Sequence, residues 1–324
     1  MIDEKRKKQL IWQLPLLVLL VVGTVLIIRQ QQSMPYQQSR GFVFGTIYNI
    51  TYQSNDDLHK AIEQELKRID REFSMFNDSS TVARINRGEN VTRSETFEEV
   101  FQLAQTINGE TEGAFDIYVA PLVNAWGFGF KNNMMPTAQQ VDSLLKIRDQ
   151  MDFAAIAKGY AADVVARLLR KHDVDNFMVE IGGEVVTQGV SEKRLPWRIG
   201  VTKPIEDSLA VNGEVQTILN VTDIAMATSG NYRNYYYKDG KRYAHTIDPK
   251  TGYPVQHSLL SATVLAKDCA VADAYATAFM VLGLERGKKV LERHPELMVY
   301  FIYNNDKGEN SVWYSPSLKD KLAQ

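Results

Sequence analysis

Asp273 and Thr277 stand four residues apart within Ala272-Asp273-Ala274-Tyr275-Ala276-Thr277-Ala278, a run of small residues that reads as a helix. Four residues make just over one turn, so the two side chains share a face. A carboxylate and a hydroxyl among small neighbours form a hard oxygen corner suited to Mg²⁺, which keeps its other positions for water and phosphate. The same pattern also describes a solvated aspartate with a threonine bonding back to its own helix. Cys269, one turn earlier, reads as a small packed side chain.

A second constellation is His245-Thr246-Ile247-Asp248-Pro249-Lys250-Thr251-Gly252. Asp-Pro-x-Thr-Gly is turn chemistry, with proline fixing φ and glycine accepting a positive one. An imidazole at a strand end beside Asp248 can serve as a general base near neutral pH, while the plain alternative is a hairpin corner. A third is Asp152-Phe153-Ala154-Ala155-Ile156-Ala157-Lys158-Gly159-Tyr160, which leads into a helix with Val164, Val165, Leu168 and Leu169 on its apolar face. Free N–H groups and the dipole at such a start attract phosphate, and Lys158 adds a point charge, although a snorkelling surface lysine fits the string equally well. The glycine pattern of a Walker loop is absent.

Glycines follow apolar segments at Gly182-Gly183, at Ser229-Gly230 and at Gly127 and Gly129. Such positions let a ligand approach the backbone, with neighbouring hydroxyls as donors, and they are equally ordinary turns. None forms a dinucleotide fingerprint between a strand and a helix.

The elements that must carry these residues follow from periodicity. Helical spacing marks Leu58–Phe73 (Leu58, Ile62, Leu66, Ile69, Phe73), Phe97–Ile107, Ala138–Ile147, Ala157–Leu169 and Val271–Leu282. Strands are expected over Phe42–Tyr52, Phe177–Ile181, Glu184–Gln188, Trp197–Val201, Val215–Val221, Arg242–Ile247, Ser258–Ala266 and Met298–Ile302. Strands clustered in the second half without alternating helices favour an antiparallel-rich α+β fold over a doubly wound sheet.

Composition narrows the function. With 324 residues and 44% hydrophobic, the chain can bury a full core, and a net charge of −2 gives no electrostatic footprint for nucleic acid. Cys269 is the one cysteine, which excludes an internal disulfide framework and any multi-cysteine metal site. At the N-terminus Lys5, Arg6, Lys7 and Lys8 precede an apolar run from Leu10 to Ile28. At about 1.5 Å per residue the run matches a bilayer core of roughly 30 Å, and no small-x-small cleavage site follows it. The expected organisation is a cytoplasmic basic tail over residues 1–9, a transmembrane anchor over 10–28, a Gln- and Ser-rich linker over 29–40 and a catalytic domain over 41–324. The basic cluster stays inside, which puts that domain on the outer, periplasmic side of a bacterial cytoplasmic membrane.

Six strings in fixed order resemble the FAD:protein FMN transferase (ApbE) family: Phe115 to Gly129, Asp152 to Asp163, Val179 to Glu184, Ala227 to Tyr232, His245 to Pro254 and Asp268 to Phe279. The resemblance implies an α+β fold of the tunnelling-fold type. It implies a Mg²⁺-dependent enzyme that splits FAD, attaches FMN through a phosphoester to a Thr or Ser hydroxyl of an acceptor protein, and releases AMP. Carried over by position, the metal would be held by Asp273, Thr277 and the main-chain carbonyl of Ala155, with Ala276 beside them. FAD contacts would fall on Phe44, Phe76, Ala114, Phe115, Asp116, Asp152, Lys158 and Ile247, with Gly183 and Ser229 nearby. His245, with Asp248 in the same motif, would take the hydroxyl proton. Phe44 replaces a common Met and Phe76 a common Tyr, and both keep an apolar surface for the flavin. A subunit of a membrane redox complex is the implied acceptor. A Mg²⁺-dependent FAD pyrophosphatase giving FMN and AMP, or a non-catalytic flavin-binding protein, would use the same residues.

Overall fold

The protein is described by a computed structural model covering residues 4–129, 135–204, 214–231, 235–238 and 241–323. In chain order the helices and strands are α1 (Glu4–Ser33), β1 (Tyr36–Val43), β2 (Thr46–Gln53), α2 (His59–Phe73), α3 (Thr81–Asn86), α4 (Glu95–Glu110), α5 (Ala120–Ala125), α6 (Ala138–Leu144) and α7 (Ala157–Lys171). There follow β3 (Phe177–Ile181), β4 (Glu184–Gln188), β5 (Trp197–Thr202), β6 (Val215–Val221), β7 (Ile224–Gly230), β8 (Tyr235–Lys238), β9 (Lys241–Ala244), β10 (Leu259–Ala266), α8 (Cys269–Leu291), β11 (Met298–Asn304) and β12 (Asn310–Tyr314).

Alternating burial drives the strands into one eight-stranded sheet of order β1-β2-β3-β4-β7-β10-β11-β12. Every neighbouring pair is antiparallel, in keeping with the expected antiparallel-rich α+β fold. One face packs against α2, α7 and α8. Ile62, Leu66, Ile69 and Phe73 on α2 are all buried there, each contributing about 1.5–3 kcal/mol of apolar transfer. The other face is covered by the β5–β6 hairpin, where Trp197, Val201, Leu219 and Val221 meet Met226, Leu265, Tyr300 and Ile302.

The N-terminal third departs from the sequence reading. The single strand expected over Phe42–Tyr52 is a hairpin of β1 and β2, because Phe44 (φ 51°) and Gly45 (φ 73°) form a tight turn with both residues at positive φ. Over the stretch read as a linker, α1 runs to Ser33 and β1 starts at Tyr36. Among the described residues no helix is long and apolar enough to cross a membrane, so the anchor expected over residues 10–28 is not borne out. Among the described side chains of α1, the large apolar ones from Leu14 to Ile28 are mostly exposed.

Three strands escaped the periodicity reading, β7, β8 and β12. The strand expected over Arg242–Ile247 ends at Ala244, before His245. Tyr232, which closes one of the six strings, lies outside the described residues, as do Met1–Asp3.

The decisive contact of the fold is the crossing of α7 and α8. Neither helix is capped by its own N-cap side chain. Each borrows a carboxylate from the other: Asp163 on α7 accepts from Cys269 N and Ala270 N at 2.8 and 2.9 Å, and Asp273 on α8 accepts from Gly159 N at 3.1 Å. These satisfy first-turn donors that would otherwise be buried without partners. Cys269, fully buried at the crossing, points its Sγ toward the carbonyls of Val185 and Met226.

Gly159 lets the helices approach, since a Cβ there would lie 2.4 Å from Cys269 O and 2.8 Å from Ala270 N. Both obstacles are backbone and cannot swing aside. Gly159→Ala should therefore cost about 1–3 kcal/mol, as overpacked sites do, read as a lower urea midpoint with an unchanged m-value. An unshifted midpoint would show that the crossing is looser than described.

Candidate active site

The mutual capping has a chemical result: the start of α7 and the Asp273–Thr277 face of α8 border one cleft of about 1030 Å³. Ala155, Lys158, Asp273 and Thr277 line it from the helix side. Gly182, Gly183, Glu184 and Ser229 line it from the sheet, and Ala114, Phe115, Asp116, Asp152, His245 and Ile247 from the loops. The positive end of the α7 dipole toward this space favours an anionic ligand.

Lys158 Nζ lies 2.6 Å from Glu184 Oε1 and 3.9 Å from Asp273 Oδ1. Burial alone would lower the Lys158 pKa, but the carboxylates of Asp273 and Glu184 outweigh it and hold the ammonium above its ordinary range. Burial pushes Asp273 up, opposed by Lys158 and by the Gly159 N–H. Glu184 is pushed up to about 7, first by burial and then by Asp273, with Lys158 opposing. Thr277 Oγ1 sits 3.1 Å from Ser229 Oγ, so the Asp273–Thr277 pair faces the cleft with a second hydroxyl beside it.

The loop residues are held by local bonds. Asp116 Oδ1 accepts from Tyr118 N at 2.9 Å and its Oδ2 pairs with Arg148 Nη1 at 2.5 Å. Asp152 Oδ1 accepts from Ala154 N, and burial raises its pKa against that bond. His245 presents its ring to the cleft, edge-on to Phe128 at 6.4 Å between centroids. Leu122, Trp126, Val141 and Ile247 form a small core behind this wall, and Trp126 Nε1 donates to Gly252 O at 2.7 Å. Gly252 (φ 77°) sits against Val141, where a Cβ would approach within 2.5 Å.

Four residues expected at the site are not among those that line the cleft. Asp248 is a turn former: its Oδ1 accepts from Lys250 N at 2.8 Å and its carbonyl from Gly252 N at 2.7 Å, and Pro249 lines the cleft in its place. Ala276 is fully buried in the helix-side core. Phe44 is buried in the β1–β2 turn, and Phe76, 68% exposed, lies over Gly45 next to the lining residue Thr46. Sequence reasoning missed Glu184 and Asp163 as individual residues. Glu184 ends a string that was read for its glycines, and Asp163 is one of several polar positions on an amphipathic helix.

The donor set suits a hard divalent cation. Oxygen ligands are at hand in Asp273, Thr277 and Ser229, and one buried carboxylate oxygen, Glu184 Oε2, has no hydrogen-bond partner. No group of three or more His, Cys, Asp or Glu side chains able to hold a metal occurs among the described residues. Such a partial oxygen set fits Mg²⁺, which completes its shell with water and phosphate.

Comparison with known proteins gives one consistent answer. The sequence pattern of the ApbE family matches residues 44–301. The chain is 37% identical over 316 residues to an FAD:protein FMN transferase of Vibrio cholerae serotype O1, covering 88% of this chain and 92% of that protein. It is 33% identical over 306 residues to the FAD:protein FMN transferase of Escherichia coli K12, covering 86% and 85%. Among solved structures, the flavin transferase ApbE from Vibrio cholerae superposes with a TM-score of 0.79 at 35% identity, covering 89% of this chain and all of that one (100%). The ApbE protein of Thermotoga maritima gives 0.78 at 29% identity, covering 90% and 100%.

Asp163 yields a signed pH test. Burial lifts its pKa from 3.8 to about 6, against the two N–H bonds that lower it. A raised carboxyl pKa contributes stability that is full below the unfolded value and is lost as pH rises through the folded one. Between pH 4.5 and 7.5 the wild type should lose about 2 kcal/mol relative to Asp163→Asn, measured by urea unfolding. A difference between the two proteins that stays constant with pH would refute it.

Proposed function

Because the chain belongs to the ApbE family and is a flavin transferase, we propose that it splits FAD with Mg²⁺ in this cleft, joins FMN through a phosphoester to a Thr or Ser hydroxyl of an acceptor protein, and releases AMP. The observation that carries this reading is the convergence of Lys158, Asp273, Thr277, Ala155 and His245 on one cavity at the start of α7.

The acceptor oxygen attacks the phosphorus of the FMN half, and the bond from that phosphorus to the bridging oxygen breaks. The electron pair leaves with AMP. The hydroxyl is a weak nucleophile until its proton is removed, and His245 is the imidazole in the lining able to accept it. Lys158 and the start of α7 stabilise negative charge on the leaving side. Asp273, Thr277 and the carbonyl of Ala155 would hold the Mg²⁺, which supplies charge neutralisation to the pyrophosphate. Phe115, Ala114, Asp116, Asp152, Ile247, Gly183 and Ser229 shape the wall against the flavin nucleotide.

Incubation with FAD, Mg²⁺ and a co-expressed acceptor should give protein-bound FMN detectable by mass spectrometry as a modified threonine or serine. Asp273→Ala and His245→Ala should each lower the rate by about 100-fold or more, the scale of losing a charge-stabilising or base group. Free FMN and AMP without modified protein would make the enzyme a pyrophosphatase. Bound but intact FAD would make it a binder.

The exposed apolar band Leu14–Ile28 supports a further part of the reading. A continuous apolar face of that kind requires cover, and lipid behind the basic cluster Lys5–Lys8 supplies it. We place the protein at the outer face of a bacterial cytoplasmic membrane, where it meets a subunit of a membrane redox complex. The full chain should remain with carbonate-washed membranes, and a chain lacking residues 1–33 should be released. Recovery of the full chain in the soluble fraction would overturn the placement.

A further inference from the structure

Glu184 has no part in the chemistry described so far, yet it is the most deeply buried charge facing the cleft from the sheet. Its side chain is 4% exposed, it opens β4 directly after the Gly182-Gly183 turn, and its Oε2 has no hydrogen-bond partner. Its Oε1 takes the Lys158 ammonium at 2.6 Å. The same ammonium lies 3.9 Å from Asp273 Oδ1, within reach of ion pairing but beyond a hydrogen bond.

The oxygens of Asp273 are already divided. Oδ2 receives the Gly159 N–H that caps α7, which leaves Oδ1 for anything entering the cleft. Lys158 is the cation nearest to that oxygen, and a shift of its flexible stem by about 1 Å would bring it into hydrogen-bond range. On one side the stem packs along Gly182, where a Cβ would lie 3.4 Å from Lys158 Cδ. What keeps the ammonium off Asp273 is the shorter bond to Glu184.

We propose that Glu184 is a positioning residue that draws Lys158 away from Asp273 and so keeps the Asp273 carboxylate open to a divalent cation. The inference rests on the cation reading given under Proposed function. It assigns one job to each carboxylate around a shared lysine: Glu184 anchors the ammonium, and Asp273 stays available to the metal. The lysine thereby faces the phosphates without competing for the cation ligand.

The test is a double-mutant cycle read by Mn²⁺ binding, with Mn²⁺ as a paramagnetic substitute for Mg²⁺, on the full chain without FAD. Free Mn²⁺ is followed by electron paramagnetic resonance. Glu184→Gln should weaken Mn²⁺ binding by about 10-fold or more, because the released lysine closes on Asp273. With Lys158→Met already present, the same substitution should change the affinity by less than about threefold, since no ammonium remains to compete. An equal loss in both backgrounds would mean that Glu184 contributes only its charge, and the inference would fail. Glu184→Asp keeps the charge but withdraws it, so it should show the same coupled loss and carries the comparison if the Gln variant does not fold. Wild type that binds Mn²⁺ no better than Asp273→Asn removes the cation reading and the inference together. Wild type that binds well while Glu184→Gln binds equally well removes the inference alone.

Discussion

The structure turns on a reciprocal exchange at the α7–α8 crossing, where each helix satisfies the first-turn N–H groups of the other with a buried carboxylate. Ordinary N-caps act within a few residues and leave the helix free to sit where packing puts it. Here the capping groups come from more than 100 residues away in sequence, |i−j| being 106, 107 and 114. The two helix starts are therefore fixed to each other before either meets a ligand. Gly159 is the steric condition of that exchange and Asp163 its chemical one. Asp273 serves both the fold and the cleft.

This double service has an energetic side. Lys158, Glu184 and Asp273 bring one positive and two negative charges into a space where burial opposes every one of them. A buried ion network of this kind contributes little to stability compared with apolar packing of the same volume. The surrounding core carries the stability, through the buried faces of α2, α7 and α8 against the sheet. The charges are held in unfavourable surroundings by a scaffold rigid enough to keep them there. On the function proposed above, a site that receives a polyanion and a cation is thus prepared in advance of both.

Much of this was legible in the amino-acid sequence, and the failures have physical reasons. The four-residue spacing of Asp273 and Thr277 predicted a shared face, and both side chains do line one cleft. Helical periodicity found α2 from Leu58, Ile62, Leu66, Ile69 and Phe73, because burial on one face is what periodicity measures. The antiparallel α+β class followed from the absence of alternating helices. Periodicity could not see the Phe44-Gly45 turn, since Phe is a poor marker for positive φ and the strands on either side continue the same alternation. It missed β7 because Ala225, Ala227 and Gly230 are weak strand markers that gain their conformation from β4 and β10 on either side. The role of Asp163 was invisible for a different reason: a capping partner more than 100 residues distant leaves no local pattern. Aspartate before proline serves turns and catalysis with the same letters, and the bond to Lys250 N shows the turn use of Asp248, which the sequence left open.

The burial of Cys269 at the helix crossing has an effect on where the fold can exist. This sequence holds a single thiol, fully enclosed between α7, α8 and the sheet, and burial raises its pKa well above the ordinary value. A thiol that stays protonated and out of contact with solvent reacts slowly with oxidants and with other thiols. The domain accordingly asks nothing of a disulfide-forming machinery and loses nothing to it. Once folded, it is insensitive to whether the compartment is oxidising or reducing.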